Sequence, residues 1–276
     1  MKKTCPECGK SNFYITEQMG YCFNCAYKEF YTEYEQVKPS NHIDRYREIY
    51  TEIAKYYHSC LSTEHINYLL SRGITYEDIE RLQIGYCPPD IHRIYLHPLA
   101  RECGLVTSKK EPFLSNRIVF PYFFQDKVTD LRGRADTGIR YLSCYGSSVF
   151  RGARFAYGYT DEQDHVVITE GEIKAIIGSH SKYVFNGLPG INAKRMITPA
   201  KQYTILFDTQ KNAKRELQQA IIHLADTLPS VRIATLPLMG YDKMDVDTYM
   251  LLGHSIETII ENALDYHEWR SYVCRY

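Results

Sequence analysis

Residues 166–175, VVITEGEIKA, and residues 203–210, YTILFDTQ, are two short apolar runs that each end in a carboxylate. The runs predict buried strands, and Glu170 and Asp208 follow them directly. In an open parallel sheet, ligands bind at the carboxyl ends of the strands. We therefore expect both acids on one rim, where a divalent cation that also binds substrate phosphates would hold the two ionised carboxylates together. This pattern indicates metal-assisted phosphoryl chemistry.

Strand and helix patterns alternate through the second half of the chain. Helices are predicted at 172–180 and 213–227, and further strands at 182–186 and 231–237. Such βαβα alternation predicts a parallel sheet covered on both faces. Asp245 and Asp247 stand just before another helix, and residues 255–270 predict one last amphipathic helix.

The middle of the chain is the basic part. The whole chain has a formal net charge of zero, but residues 86–160 carry 11 Lys and Arg against 6 Asp and Glu. Four short strands are predicted here, RIYLHPL, RIVFPYFF, VTDLRGRA and IRYLS. If the second and third form a hairpin, Arg132 and Arg134 share one face and could cradle a phosphate. The alternative, that these arginines only solvate the surface of a sheet, stays open.

The N-terminal stretch CPECGKSNFYITEQMGYCFNC contains two Cys-x2-Cys turns separated by thirteen residues. Four thiolates complete a tetrahedral zinc shell with no open position, which is typical of a structural site. FYIT and YCF between the turns predict a hairpin, and so small a module would depend on the metal to fold. Two disulfides or chance spacing are the alternatives. The candidate ligands are Cys5, Cys8, Cys22 and Cys25.

The polar composition of residues 29–44 predicts a linker, and the spacing of apolar residues at 45–71 predicts helix. One helix is predicted to end at Gly73, and the next to begin at Thr75 with Ile79, Leu82 and Tyr76 on one face. No stretch approaches 18 consecutive apolar residues, and no signal peptide is visible, so we expect a cytoplasmic protein without a membrane partner.

Taken in order, these motifs resemble the DnaG-type primases of bacteria and phages, whose catalytic domain has the Toprim fold. ITEGEIKA, FDTQKNAKREL and MDVDTYM are similar to its three acidic motifs, and RIVFPYFF, DLRGR, IRYLS and VFRGARFAYGY to its basic subdomain. The resemblance implies an α/β protein, α+β overall, with a mostly parallel Toprim sheet. Its implied parts are a zinc ribbon (1–30), a linker (31–44), a helical hairpin with the basic subdomain (45–160), the Toprim catalytic domain (161–252) and a helical tail (253–276).

The resemblance also implies an activity and the residues that perform it. The expected reaction is template-directed synthesis of short RNA primers on single-stranded DNA from nucleoside triphosphates, by two-metal nucleotidyl transfer. Structural zinc would bind the four cysteines, and a separate replicative helicase is an expected partner. Mg²⁺ or Mn²⁺ would bind Glu170, Asp208, Asp245 and Asp247. Nucleotide and template phosphates would contact Arg117, Arg132, Arg134, Arg140 and Lys174.

Two positions depart from the family pattern and leave alternatives open. Gln210 stands where the second Asp of an Asp-x-Asp motif is expected, and Lys174 where many members have an acid. Both changes reduce the negative charge of the predicted metal site, and Glu172 or Asp247 could supply a replacement carboxylate. A primase-like protein that binds nucleic acid without synthesis is therefore one alternative, and a Toprim nuclease is another. A Rossmann-type binding domain is disfavoured because no Gly-x-Gly-x-x-Gly follows a strand.

Overall fold

The computed structural model describes eleven segments of the chain. They are residues 2–4, 9, 13–15, 19–22, 28–30, 42–90, 92–135, 140–144, 155–193, 195–212 and 215–273. The chain divides into two compact units, Met1–His42 and Ile43–Tyr276.

The first unit contains an antiparallel sheet of four short strands. They are β1 (Lys2–Lys3), β2 (Phe13–Ile15), β3 (Met19–Cys22) and β4 (Lys28–Phe30), in the order β1-β2-β3-β4. The predicted hairpin is confirmed, since β2 pairs with β3 in the register Phe13 to Cys22. The last strand runs into the segment predicted as linker. Cys5, Cys8 and Cys25 lie outside the described residues, so the zinc shell stays a prediction.

Three helices open the second unit, α1 (His42–Ser59), α2 (Thr63–Ser71) and α3 (Tyr76–Arg81). Ser62 and Thr75 cap α2 and α3 with reciprocal side-chain and backbone hydrogen bonds, and Thr75 is the predicted start of α3. Ile79 is buried, but Tyr76 is 63% exposed, so its predicted place on the buried face was wrong. Tyr76 is the first residue of α3, and helical side chains point back toward the N-terminus, which directs this ring off the end of the helix.

The basic segment forms a four-stranded antiparallel sheet. Its strands are β5 (Gly85–Cys87), β6 (Arg117–Phe124), β7 (Lys127–Arg134) and β8 (Tyr141–Ser143), in sequence order. The predicted hairpin of β6 and β7 is confirmed. The strand predicted at RIYLHPL is instead a 3₁₀ helix at Arg93–Leu96, which His92 caps by accepting a hydrogen bond from the Ile94 amide at 3.2 Å.

The second half builds the predicted mostly parallel sheet. Its strands are β9 (Gln163–Glu170), β10 (Val184–Leu188), β11 (Ala200–Ile205), β13 (Val231–Ile233) and β15 (Leu264–Asp265), in the order β10-β9-β11-β13-β15. The first four are parallel, and β15 is an antiparallel edge strand. A separate two-stranded ribbon joins β12 (Thr209–Gln210) to β14 (Lys243–Met244). The helices between them are α4 (Glu172–Gly178), α5 (Arg215–Ala225) and α6 (Val246–Leu251).

The C-terminal region is two helices, α7 (Ile256–Glu261) and α8 (Tyr266–Val273), and not the single helix predicted at 255–270. The Arg232 guanidinium donates hydrogen bonds to the carbonyls of Glu261 at 2.9 Å and Ala263 at 3.0 Å. Because these carbonyls accept hydrogen bonds from Arg232, the helix ends here, and β15 pairs with β13. Within the described residues, no helix has the length and apolar character needed to cross a membrane.

Candidate active site

One pocket lies where the parallel strands end. Three carboxylates line it, Glu170, Asp208 and Asp245, together with five cationic side chains, Arg72, Arg132, Arg140, Lys174 and Lys243. Tyr141, Gly171, Ile173 and Pro189 complete the lining. The pocket is therefore an oxygen-rich cleft surrounded by cations, which is the environment that phosphate groups and divalent ions share.

Local structure explains how the three acids converge. Glu170 is the last residue of β9, and Gly171 follows it with φ +86°, which allows a sharp turn into α4. Asp208 lies three residues beyond the end of β11, the neighbouring strand. Asp245 caps α6, and its Oδ1 accepts a hydrogen bond from the Thr248 amide at 3.1 Å. Three separate chain segments thus bring one carboxylate each to the same pocket.

Two lysines bind Asp208. Lys174 Nζ lies 2.5 Å from Oδ1 and 2.7 Å from Oδ2, and Lys243 Nζ lies 2.7 Å from Oδ2. Burial opposes the charge of Lys243, but its hydrogen bond to Asp208 and the negative charges of Asp208, Asp245 and Glu170 raise its pKa above the ordinary value. Lys243 was not among the predicted site residues, although it stands two residues before Asp245 in the sequence.

Asp245 and Asp247 differ, although the sequence treated them alike. Burial raises the pKa of Asp245, but hydrogen bonds from Thr248 and Asp247 outweigh it, so that pKa lies below its usual value. Burial and the charge of Asp245 raise the pKa of Asp247. The Asp247 side chain is 1% exposed, does not line the pocket, and binds Arg72, whose Nε is 3.1 Å away. Arg72 was also missed, because 175 residues separate the two partners.

Arg132 lines the pocket but is already paired. Its Nη1 donates to Glu172 Oε1 at 2.8 Å, its Nη2 donates to the Pro189 carbonyl at 2.5 Å, and the Tyr122 hydroxyl donates to the same Glu172 oxygen at 2.5 Å. Glu172 is fully buried. Glu172 therefore neutralises Arg132 and does not compensate the cation cage. The second oxygen of Glu172 has no hydrogen-bond partner among the described residues.

The other arginines lie in or next to the pocket. Arg140 lines it, and Arg117 Nη1 donates to the Arg140 carbonyl at 3.4 Å. Arg134 stacks on Tyr141 and on Tyr68, with its guanidinium carbon 5.9 Å and 5.1 Å from the two ring centres. Arg132 and Arg134 are 8% and 5% exposed, so the alternative that they merely solvate a sheet surface is wrong for both.

The acids fit a hard cation by donor type. Among the described residues, no group of three or more carboxylate, histidine or cysteine side chains forms a ready-made metal site. Mg²⁺, however, commonly binds one or two protein carboxylates and takes its other ligands from substrate phosphates and water. Glu170, Asp208 and Asp245 supply such oxygens. Gln210 lies in β12, where its backbone pairs with Lys243.

Two curated proteins are similar to the chain in sequence. A DNA primase of Staphylococcus epidermidis is 30% identical over 156 residues, 47% of this chain and 26% of that protein. A DNA primase of Halalkalibacterium halodurans is 27% identical over 258 residues, 78% of this chain and 42% of that protein. The chain thus spans less than half of either relative. No protein-family model matches it.

Solved structures show the same fold. A DnaG primase catalytic domain bound to single-stranded DNA is 17% identical, with a TM-score of 0.67 over 82% of this chain and 84% of that one. The Aquifex aeolicus primase, with its zinc-binding and RNA polymerase domains, is 16% identical, with a TM-score of 0.65 over 97% and 79%. The E. coli primase catalytic core is 18% identical, with a TM-score of 0.62 over 79% and 80%.

Proposed function

We propose that this chain, which is DnaG-type by its fold and by its similarity to curated DNA primases, is a template-directed RNA polymerase that starts short RNA chains on single-stranded DNA. The observation that carries the proposal is the convergence of Glu170, Asp208 and Asp245 with arginines in one pocket. Chemically, such a pocket suits transfer of a nucleotidyl group between two phosphate-bearing substrates.

The chain's own residues divide the work of binding. Arg132 and Arg140 present guanidinium groups to the pocket, and guanidinium binds phosphate oxygens in a planar, bidentate manner. Glu172 and the Pro189 carbonyl fix Arg132 from behind, so its orientation is set before a nucleotide arrives. Asp247 does the same for Arg72. Preorganised positive groups of this kind stabilise charge that develops on a transferred phosphate.

Glu170, Asp208 and Asp245 would hold the divalent cation. When bound, such an ion lowers the pKa of the attacking 3′-hydroxyl and stabilises the charge on the leaving pyrophosphate. The same residues would set the distance between the primer end and the nucleotide. Structural zinc at the four cysteines and a separate helicase belong to this proposal as well.

The proposal is tested by incubating the zinc-loaded full chain with single-stranded DNA of varied sequence, labelled nucleoside triphosphates, and Mg²⁺ or Mn²⁺. We expect short RNA from the wild type and a loss of about 100-fold or more in Glu170→Gln, because a cation ligand is removed. Asp164→Asn is the matched control, since Asp164 lies on the same strand but is an exposed surface residue.

Three outcomes distinguish the proposal from its alternatives. RNA lost in Glu170→Gln and retained in Asp164→Asn supports synthesis. Salt-sensitive DNA binding without product on any template would support a non-synthesising protein, for which the two lysines on Asp208 are the structural argument. Shortened input DNA would support a nuclease. The names of both curated relatives favour the first outcome.

A further inference from the structure

Asp208 is clamped by two ammonium groups. Together Lys174 and Lys243 occupy both of its oxygens at 2.5–2.7 Å, and the carboxylate side chain is only 5% exposed. Charge-assisted hydrogen bonds of this length are strong, so a cation that binds Asp208 competes with the two lysines for its oxygens. The Lys174 and Lys243 side chains are 14% and 51% exposed.

The charges of the other lining side chains limit how many divalent ions the pocket can bind. Arg72 is neutralised by Asp247 and Arg132 by Glu172, so neither pair contributes net charge. Three pocket carboxylates then face Lys174, Lys243 and Arg140, so the remaining lining carries no net charge. One divalent ion already makes the pocket net positive. A second divalent ion would enter a pocket that is already net positive, where it would be repelled by the first ion and by the cationic side chains.

We propose that Lys174 and Lys243 take the place of one divalent ion as the counter-charge of Asp208. The nucleotide-free pocket then binds one divalent ion, on Glu170 and Asp245, and not two. When a nucleoside triphosphate enters, its phosphates attract the lysine ammonium groups and free Asp208. This last step rests on the proposed function, whereas the ion count does not.

The ion count is tested by titrating Mn²⁺ into the zinc-loaded full chain without nucleotide, with free Mn²⁺ measured by electron paramagnetic resonance. The wild type should bind one Mn²⁺ at the pocket. Lys174→Met and Lys243→Met keep the apolar stem but lose the charge, and each should admit a second ion or tighten binding about tenfold. Lys201→Met is the control, because Lys201 pairs with Asp164 at 2.7 Å on an exposed surface.

A melting experiment gives a second readout that does not depend on activity. A ligand that binds only the folded state raises the melting temperature, and at a fixed concentration a tighter ligand raises it further. The rise caused by Mn²⁺ should therefore be larger in both lysine variants than in the wild type and in Lys201→Met. Zinc content and melting without Mn²⁺ identify any variant that fails to fold, and the other variant then decides.

Unchanged or weaker Mn²⁺ binding in both lysine variants would overturn the inference, as would two bound ions in the wild type. These results are separable from the proposed function. If the lysine variants gain an ion while the wild type makes no RNA, the clamp stands and the polymerase proposal fails. If RNA is made and the Mn²⁺ titrations do not change, the clamp fails alone.

Discussion

Among single residues, Arg132 and Glu172 form a buried ion pair that holds part of the pocket wall in place. Glu172 is fully buried, and its contact with Arg132 is 2.8 Å. Removing one partner of a buried pair leaves an uncompensated charge, which costs about 3–5 kcal/mol, whereas replacing both partners by apolar groups is often nearly neutral.

Glu172→Gln should therefore lower the free energy of unfolding by about 3 kcal/mol or more, and Arg132→Met by a similar amount. The double variant should lose much less than the sum, because neither charge is left alone. Urea unfolding measures each value. Lys182→Met is the control, since Lys182 pairs with Glu261 on the surface and should cost less than about 1 kcal/mol. Additive losses in the double variant would contradict the assigned pairing.

At the scale of elements, Asp78 connects α3 to the loop that follows α4. Its side chain accepts hydrogen bonds from the amide of Thr75, the cap of α3, from Arg81 at 2.9 Å and from His180 at 2.7 Å. Burial raises its pKa, but hydrogen bonds from Thr75, His180 and Arg81 outweigh burial and hold that pKa below the usual 3.8. At a pH between the folded and the unfolded pKa of Asp78, this carboxylate is protonated in the unfolded chain and ionised in the folded chain.

This difference predicts a pH dependence. The stabilisation from Asp78 is fully present above its unfolded pKa of 3.8 and is lost as the pH falls through the lower folded value. Asp78→Asn should cost roughly 1–3 kcal/mol at pH 7. Below about pH 4 it should lose stability less steeply than the wild type. Thermal melts from pH 7 to pH 2.5 test this, with the exposed Asp126→Asn as control. If the wild type and Asp78→Asn lose stability equally steeply below about pH 4, this prediction is wrong.

A feature could be predicted from the sequence where residues close together in the chain determine it. The strand that ends at Glu170 and the hairpin of β6 and β7 were predictable, because apolar runs and alternation encode them locally. The place of Arg72 in the pocket could not be predicted, because its partner Asp247 lies 175 residues away in the sequence. The break in the C-terminal helix was hidden for the same reason, since Arg232 on a distant strand holds the carbonyls at the break.

At the scale of the whole molecule, the two compact units predict two unfolding events. Residues 1–42 are short, and their predicted zinc would supply most of their folding free energy. A zinc chelator should therefore unfold this unit and leave the melting temperature of residues 43–276 unchanged within about 2 °C. Hydrogen exchange read by mass spectrometry localises the loss of protection. A uniform loss across both units would contradict the modular description.

Formation of the first phosphodiester bond on single-stranded DNA depends on every part of the proposed site at once. The pocket built from Glu170, Asp208 and Asp245 predicts a labelled dinucleotide from the wild type with Mg²⁺ or Mn²⁺. Asp208→Asn, with wild-type zinc content, should form at least about 100-fold less. No dinucleotide from the wild type on any template, or an equal yield from Asp208→Asn, would rule out nucleotidyl transfer by this pocket.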